Sequence, residues 1–446
     1  MTAPAHHASP HTICSVTPAR VMKIALPIVL SNATVPLVGI VDTAVVGQLG
    51  AAAPLGAVGV GAIILSSLYW VFGFLRMGTV GLASQARGQG DMAEVAALLT
   101  RVVLIGAGAG LAIVVLQVPV IAGALWLASP SAEVTNLARD YLVVRIWSAP
   151  AMIAIYGLSG WLIAHERSQA FMAVQIWMNG LNIVLDVWFV LGLGWGVSGV
   201  AFATFLAEWS GLALGLWFCR TGLQSSAWRN WAQVLKAERL WHMASVNNDI
   251  LIRSLLLQAM FTSFSFIAAR QGDLALAANQ VLMQMMLLTA YGMDGFAFAA
   301  ETLVGQAFGA KKRTVLRRSA FVTSMGGAVV AVVMALAFWL LGGVMIDMMS
   351  TAPDVRETAR MFLPYVVAAP MLGCAAWMLD GIFIGATATR DMRNMMVVSA
   401  VIYGAALVVL LPLLGNHGLW LALLISFVAR GVTLGLRYPA LEGKAG

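Results

Sequence analysis

Charged residues are scarce in this sequence. Only 10% of the 446 residues are Asp, Glu, Lys or Arg, whereas 61% are hydrophobic. Soluble domains usually contain about 25% charged and about 45–50% apolar residues. Water therefore cannot be the solvent for most of the surface, which excludes an ordinary soluble enzyme. The stretches 102–127, 320–346 and 395–414 contain no charged residue, and each is long enough to cross a bilayer core of about 30 Å.

Closely spaced cysteines and signal-peptide features are also missing. The three cysteines are far apart and form no ligand-spaced pair (Cys14, Cys219 and Cys374), so neither a disulfide framework nor a zinc site is indicated. The first 20 residues contain no apolar core with a cleavage site, so the first hydrophobic run is expected to remain as an uncleaved span. Three histidines of this tail could bind a metal ion, but a disordered tail is favoured (His6, His7 and His11). We expect no metal site and no cofactor.

What the sequence has instead is a series of long apolar runs. Hydropathy over windows of about 19 residues predicts twelve transmembrane helices, at 24–47, 53–80, 102–126, 141–164, 170–194, 197–219, 243–268, 275–305, 320–346, 361–388, 395–414 and 418–436. Because twelve is even, both termini are expected on the same side of the membrane.

The distribution of basic residues among the loops indicates which side of the membrane the termini occupy. Most basic residues fall in even-numbered loops: Arg87, Arg101, Arg167, the run 220–239, Lys311, Lys312, Arg313, Arg317, Arg318, Arg390 and Arg393. Loops rich in Lys and Arg remain cytoplasmic, so we predict a multi-pass protein of the bacterial inner membrane with both termini in the cytoplasm. This topology also explains the formal charge of +7, and no nucleic-acid partner is needed.

The two halves of the chain resemble each other. Ser-Gln-Ala-Arg-Gly at 84–88 aligns with Gly-Gln-Ala-Phe-Gly at 305–309, and 158–163 aligns with 379–384, at offsets of about 220 residues. Each repeat contains six spans and inserts with the same orientation. The prediction is an all-α polytopic membrane protein with two parallel six-helix lobes related by a pseudo-twofold axis along the membrane normal. This is a transporter architecture, in which access alternates as one lobe rocks on the other.

The repeat also divides the chain. The predicted segments are a cytoplasmic tail (1–20), an N-lobe (21–219), a cytoplasmic linker (220–241), a C-lobe (242–438) and a second cytoplasmic tail (439–446). Nothing in the pattern requires more than a monomer, so a monomer is expected.

Ionisable residues inside spans cost about 2.5–3.5 kcal/mol on insertion scales and usually mark a pathway or relay. Asp42 is the only charge in span one, and Asp186 is the only charge in span five. Asn179, Asn182 and Asp186 are spaced three and four apart and share one helical stripe. Thr204 in span six could face the same stripe. Together these groups could hold a proton or a small cation.

A purely structural role is the alternative for the uncharged members. Asn182 and Thr204 could link helices by hydrogen bonds worth on average about 0.6 kcal/mol, and for Asn179 this reading is favoured. Such links do not require carboxylates, so a functional role is favoured for Asp42 and Asp186. Burial favours a neutral carboxyl group and a bound cation favours an ionised one, so such a site could exchange protonation with lobe conformation.

Further candidates lie elsewhere. Asp249 and Arg253 are four residues apart in span seven, which predicts a structural ion pair. Asp380 lies within span ten without a local partner, which leaves a coupling role and a lobe-organising hydrogen bond open. Pro27 and Pro36 could bend span one beside Asp42 as a gate, although prolines also occur in membrane helices for other reasons.

Several motifs distributed over nearly the whole chain carry a family resemblance. They are Leu-Pro-Ile at 26–28, Val-Asp-Thr-Ala-Val-Val-Gly at 41–47, Asn-Ile-Val-Leu-Asp at 182–186, Gly-Val-Ser-Gly-Val-Ala-Phe-Ala-Thr at 196–204, Asn-Asp-Ile-Leu-Ile-Arg-Ser at 248–254 and Leu-Asp-Gly-Ile-Phe-Ile-Gly at 379–385. With these motifs the chain resembles the multidrug and toxic compound extrusion (MATE) family, and its DinF-like branch in particular.

The resemblance implies two lobes in a V shape and export of lipophilic, often cationic compounds in exchange for protons or sodium ions. It also implies a coupling site on spans one, five and six, whose members here would be Asp42, Asn182, Asp186 and Thr204. Asp380 matches a carboxylate that other branches use. Span seven has no carboxylate at 254–264, which puts coupling by the C-lobe in doubt.

Rival functions are less well supported. A major-facilitator transporter would carry an Asp-Arg-rich basic motif where this chain has residues 84–91. A lipid-linked-precursor flippase of the same superfold would line its cavity with several cations, whereas mid-span lysine is absent and the arginines are few (Arg145, Arg253 and Arg430). A membrane-embedded enzyme would need a motif such as His-Glu-x-x-His or Gly-x-Ser-x-Gly, and neither occurs. The expected function is antiport of lipophilic small molecules across a bilayer.

Overall fold

The computed structural model describes residues 15–223 and 226–446, and within this part of the chain no β-strand occurs. Cys14 and the three tail histidines considered above lie outside it. Among the described residues, twelve helices are long and apolar enough to cross a membrane, so the predicted number of spans is confirmed. They are α1 (Pro18–Gly47), α2 (Ala52–Gln89), α3 (Met92–Val115), α4 (Ala132–Ala164), α5 (Ser168–Gly192), α6 (Gly196–Cys219), α7 (Ala237–Arg270), α8 (Asp273–Gly309), α9 (Arg313–Met349), α10 (Pro353–Gly385), α11 (Thr389–Leu414) and α12 (Asn416–Gly443).

Most helices extend beyond the predicted apolar windows. Helix α9 begins at Arg313, so that Arg317 and Arg318 occupy its first two turns. Helix α12 continues to Gly443, past the predicted lobe boundary at 438. Leu441, in this additional part of the helix, is buried. Hydropathy detects only the part of a helix that matches the bilayer core, whereas the backbone hydrogen bonds continue into the polar ends.

The prediction of one continuous third span at 102–126 is wrong. Helix α3 ends at Val115, and a separate short helix, Gln117–Ala128, follows Leu116. Pro119 provides the physical reason, because a proline cannot donate a hydrogen bond to the carbonyl four residues earlier, here that of Val115, and its ring clashes with that carbonyl. The apolar run is therefore longer than the helix that spans the membrane.

The predicted linker is partly helical. It contains two short helices, Ser226–Arg229 and Trp231–Val234, and α7 begins at Ala237, before the predicted end of the linker at 241. Arg101 of α3 donates hydrogen bonds to the carbonyl oxygens of Val234 (2.7 Å) and Gln233 (2.6 Å) and pairs with Glu94 (2.5 Å). The linker is thus anchored to the beginning of α3.

A tight turn joins α5 to α6, between the predicted fifth span (170–194) and sixth span (197–219). Gly194 and Gly196 have φ values of +70° and +56°, a conformation that glycine adopts without steric cost. The last six residues of α5, Val187–Gly192, form a π-helix. Segments of π-helix are rare and frequently occur at functional sites.

The helices form two compact units. One contains the described residues up to Val29, Val80–Asp91 and Met243–Gly446, and the other contains Leu30–Thr79 and Met92–His242. The beginning of α1 and the end of α2 thus pack with the second half of the chain. Side-chain contacts show the same attachment, since Arg20 Nη2 donates to Gln306 Oε1 (3.0 Å) and Gln85 Nε2 donates to the Gly385 carbonyl oxygen (3.0 Å).

The two copies of the repeated motif pack against each other at the ends of α2 and α8. A β-carbon added to Gly88 would lie 2.1 Å from the carbonyl oxygen of Gln306, and one added to Gly309 would lie 2.1 Å from that of Gln85. These pairs are equivalent positions of the repeat. The contact is therefore reciprocal, as expected for an interface with twofold character.

Apolar side chains cover much of the outer surface. Met348 is 83% exposed and Val408 is 76% exposed, which suits a surface that faces lipid rather than water. Inside the second half of the chain, Phe264, Phe338 and Trp420 belong to one continuous buried cluster. Together with the twelve spans, these features define a multi-pass membrane protein.

Candidate functional site

Two carboxyl groups meet in the unit that contains Leu30–Thr79 and Met92–His242. The side chains of Asp42 on α1 and Asp186 on α5 interact directly with each other. Asp186 is fully buried, and Oδ1 of each residue is buried without a hydrogen-bond partner among the described residues. Two carboxylates repel each other unless a proton or another cation lies between them. The arrangement can therefore hold a proton or a small cation.

Asn182 completes the predicted stripe on α5. Its Nδ2 donates a hydrogen bond to Asp186 Oδ2, and the residue is 3% exposed. The π-helix begins at Val187, directly after Asp186. A π-turn shifts the register of backbone hydrogen bonds, so the backbone next to this carboxylate departs from α-helical geometry. The structure thus brings together Asp42, Asn182 and Asp186 as the sequence predicted.

A buried ion pair stands beside these residues. Arg145 Nη1 on α4 lies 2.6 Å from Glu208 Oε2 on α6, and both side chains are nearly inaccessible. The charge of Arg145 acts on both Asp42 and Asp186, but neither carboxyl group forms an ion pair with an arginine among the described residues. Arg145 is instead neutralised by Glu208, so the two aspartates are not permanently paired.

Sequence reasoning missed Glu208 and treated Arg145 only as one of few arginines. A signal was present, because Arg145 and Glu208 are the only charged residues in spans four and six. Two isolated opposite charges in neighbouring membrane helices are expected to pair. Tyr141 adds to this cluster, since its hydroxyl accepts a hydrogen bond from Arg145 Nε (3.4 Å).

Thr204 and Asn179 are not drawn into the carboxylate contact. The Thr204 hydroxyl donates to the Val200 carbonyl oxygen of its own helix (3.0 Å). Thr204 precedes Glu208 by four residues and therefore shares a face of α6 with it. Asn179 Nδ2 donates to Thr34 Oγ1 on α1 (2.6 Å), which links α5 to α1 and agrees with the structural alternative given above.

The other unit contains a cluster of two arginines and one aspartate. Asp380 on α10 is 5% exposed and pairs with Arg253 on α7, while Arg430 Nε on α12 lies 3.8 Å from Asp380 Oδ2. The predicted Asp249–Arg253 pair is wrong, because Asp249 pairs with Arg393 of α11 (2.5 Å). Residues four apart share a face, but here each finds its partner on another helix. Asp380 thus has partners that its own span does not reveal.

Helix α1 continues without interruption through Pro27 and Pro36. The division between the two compact units falls between Val29 and Leu30, which lie between the two prolines. Each proline removes one backbone hydrogen bond. The part of α1 that carries Asp42 is therefore joined to the preceding part by a segment with weakened backbone hydrogen bonding.

Comparison with known proteins agrees with this architecture. The MatE family model matches residues 27–188 and 250–410. The chain is 40% identical over 422 residues to DNA damage-inducible protein F of Escherichia coli K12, which covers 92% of this chain and 90% of that protein.

Solved structures show the same fold. An outward-facing multidrug resistance MATE family transporter of the MOP superfamily has a TM-score of 0.87 at 16% identity, covering 98% of both chains. A MOP superfamily transporter from Pyrococcus furiosus, described as having a binding pocket of reverse polarity, also has a TM-score of 0.87 at 16% identity, covering 97% of this chain and 98% of that one.

The matching family model and the 40% identical relative place this helical membrane protein, whose described residues contain twelve candidate spans, in the class of transporters. The chain is a member of the MATE family of multidrug and toxic compound efflux transporters. Members of this family are transporters and not enzymes.

Proposed function

We propose that this protein exports lipophilic, cationic small molecules in exchange for H⁺ or Na⁺, and that Asp42 and Asp186 bind the coupling ion. The observation that carries the proposal is the direct contact of these two carboxyl groups, each with one buried oxygen that has no hydrogen-bond partner. Buried polar atoms are nearly always hydrogen-bonded. Two unsatisfied acceptors in one place therefore favour a cationic occupant.

The mechanism follows from charge. With both carboxylates ionised, the site has a net negative charge and attracts a cationic substrate. Arrival of one proton or Na⁺ halves that charge, which weakens substrate binding, releases the substrate and favours the return of the ion-loaded carrier. Asn182 orients Asp186 by its hydrogen bond, and we propose that Thr204 contributes its hydroxyl oxygen when the ion is bound. Asn179 and Asp380 remain secondary candidates.

The energy available is sufficient for useful export. One elementary charge crossing a membrane potential of 100 mV yields about 2.3 kcal/mol. Because about 1.4 kcal/mol corresponds to a tenfold ratio, the inward movement of one net charge could sustain a gradient of roughly fiftyfold. For a monovalent cationic substrate this requires two coupling ions per substrate, because one-for-one exchange moves no net charge. We further propose that lobes 21–219 and 242–438 rock about the linker, with α1 bending near Pro27 and Pro36, and that both termini lie on the cytoplasmic side of a bacterial inner membrane.

A flippase for anionic lipid-linked precursors is the second candidate. The observation that favours it is the buried cluster of Arg253, Arg430 and Asp380, which has one more positive than negative charge. A surplus cation suits an anionic substrate. In the half of the molecule that holds Asp42, however, Arg145 is neutralised by Glu208, which leaves the acidic pair as the dominant charge.

The test is efflux of ethidium from proteoliposomes that contain the purified protein. A proton gradient and a sodium gradient are imposed separately, so that the ion that drives transport is identified. Asp42→Asn and Asp186→Asn should each abolish the ion-driven component. Asp347→Asn is the matched control, because Asp347 is partly exposed and paired with Arg360 on the surface. Full efflux by Asp42→Asn would remove this residue from the mechanism, and transport of a lipid-linked anion instead of ethidium would establish the second candidate.

A further inference from the structure

A cavity lies at the N-terminal end of α9, where Arg317 and Arg318 line it. Its volume is about 600 Å³, within the range of about 300–1,000 Å³ that is typical of small-molecule sites. It is lined by polar and basic residues of the first turns of α9, by two apolar residues of α10 and by Tyr438 of α12. It is separate from the acidic site, which belongs to the other compact unit.

The polar side of this cavity is positively charged. Arg317 and Arg318 line it together with Thr314, Ser324 and Tyr438. Arg318 uses Nε to donate to the Val16 carbonyl oxygen (2.8 Å), which fixes the guanidinium in place. Neither arginine forms an ion pair with an acid in the described chain, and no Asp or Glu occurs between 302 and 346. No acid in the described part of the chain lines the cavity, and Glu442, four residues after Tyr438 on α12, pairs with Arg313 (3.0 Å). The two arginines therefore give the lining a positive charge.

The other side of the cavity is apolar and leads onto the outer surface. Leu379 and Ile382 of α10 line it, and so does Phe321 of α9. Phe321 is 64% exposed and begins a row on α9 with Met325 (52%) and Val329 (57%). Residues four apart lie on one helical face, so an exposed apolar stripe runs from the cavity along the span.

We infer that this cavity binds an anionic phospholipid, with the headgroup phosphate at Arg317 and Arg318 and an acyl chain along Phe321, Met325 and Val329. Basic pockets between transmembrane helices on the cytoplasmic side are known binding places for acidic headgroups. The two charges match such a headgroup, and they repel the cationic compounds proposed as substrates. The apolar stripe distinguishes a lipid from a soluble anion. This inference rests on the proposed cytoplasmic position of this end of α9 and not on the coupling site.

The experiment is native mass spectrometry of the full-length protein in detergent, titrated with phosphatidylglycerol, cardiolipin and, as a zwitterionic reference, phosphatidylethanolamine. The wild type should retain phosphatidylglycerol and cardiolipin in preference to phosphatidylethanolamine. The double variant R317Q/R318Q should bind phosphatidylglycerol on the order of thirtyfold more weakly, at about fivefold for each basic residue lost. R220Q/R229Q is the matched control, because it removes two exposed arginines from another loop and should bind like the wild type.

Two further measurements test the shape of the cavity and the contribution of the acyl chain. Ser324→Phe fills the cavity without a change of charge and should also weaken lipid binding, which separates the effect of the site from that of net charge. Inorganic phosphate at matched concentration should not displace the lipid, because it lacks the apolar part. Equal lipid binding by R317Q/R318Q and its control, no preference for anionic lipids, or displacement by phosphate would each overturn the inference.

Discussion

Gly88 and Gln306 are packed so closely that a β-carbon on Gly88 would come within 2.1 Å of the Gln306 carbonyl oxygen. Gly309 stands in the same relation to Gln85. Only glycine allows the ends of α2 and α8 to approach to this distance, because any other residue would place its β-carbon where a backbone oxygen lies. The duplicated motif is thus conspicuous in the sequence for a packing reason, and each copy is the binding surface of the other.

Gly88→Ala and Gly309→Ala should each destabilise this contact. Overpacking of a tight contact typically costs about 1–3 kcal/mol, so the thermal unfolding temperature of the purified protein should fall. Gly404→Ala is the control, because nothing lies within 4 Å of its added β-carbon and alanine favours helix. An unchanged unfolding temperature for both motif variants would show that the contact does not contribute to stability.

Asn182 and Asn179 lie one turn apart on α5 and should behave differently. Asn182→Ala removes the hydrogen bond to Asp186, and bonds to charged groups contribute about 1.5–3 kcal/mol. The ion concentration for half-maximal ethidium efflux should therefore shift about tenfold or more. It should fall if the ion is H⁺, because an N–H donor favours the ionised carboxylate, and rise if the ion is Na⁺, because Asp186 is no longer held in place. Asn179→Ala removes only the bond to Thr34 and should leave that concentration nearly unchanged. Similar effects of both substitutions would contradict a special role for Asn182.

Asp380→Asn should be strongly destabilising. It leaves Arg253 and Arg430 buried without a negative charge, and removal of one member of a buried ion pair typically costs about 3–5 kcal/mol. Asp347→Asn breaks an exposed pair, which typically contributes about 0–1 kcal/mol. Thermal unfolding of both variants in the same detergent measures the difference. A normal unfolding temperature for Asp380→Asn combined with lost efflux would instead assign Asp380 to transport.

Arg101→Met should release the linker. The substitution removes the bonds to the backbone of Gln233 and Val234 and leaves Glu94 without its arginine. Limited trypsin digestion should then cut after Arg220 or Arg229 faster than in the wild type, because the anchored segment 226–234 is freed. Lys236→Met is the control, since Lys236 pairs only with exposed Glu238. Identical digestion patterns for Arg101→Met and the wild type would show that other contacts hold the linker.

Hydropathy and isolated polar residues were sufficient to predict much of this molecule. The number of spans, the turn between α5 and α6 and the residues of the acidic stripe all followed from local patterns. The reason is that each depends on the free energy of transferring a single segment, with its own side chains and backbone, from water into lipid. The break after Val115 could also have been read from Pro119.

Ion-pair partners that lie on other helices could not be predicted from local sequence patterns. Spacing along α7 suggested that Arg253 would pair with Asp249, but α10 and α11 supply the actual partners, Asp380 for Arg253 and Arg393 for Asp249. The pairing of Arg145 with Glu208 joins two residues that are 63 positions apart in the chain and lie on different helices. A buried charge binds whichever opposite charge the packing of helices brings nearest, and a one-dimensional pattern contains no such distance.

The sequence by itself determined that the chain lies in a membrane and how many times it crosses, and it singled out Asp42 and Asp186 as the only charges of their predicted spans, because transfer into lipid is a property of each segment. Only the tertiary structure decided that Asp42 and Asp186 touch, that Arg145 is neutralised by Glu208 and that the two copies of the glycine motif meet. These are contacts between distant segments, and their geometry is set by how the helices pack against one another.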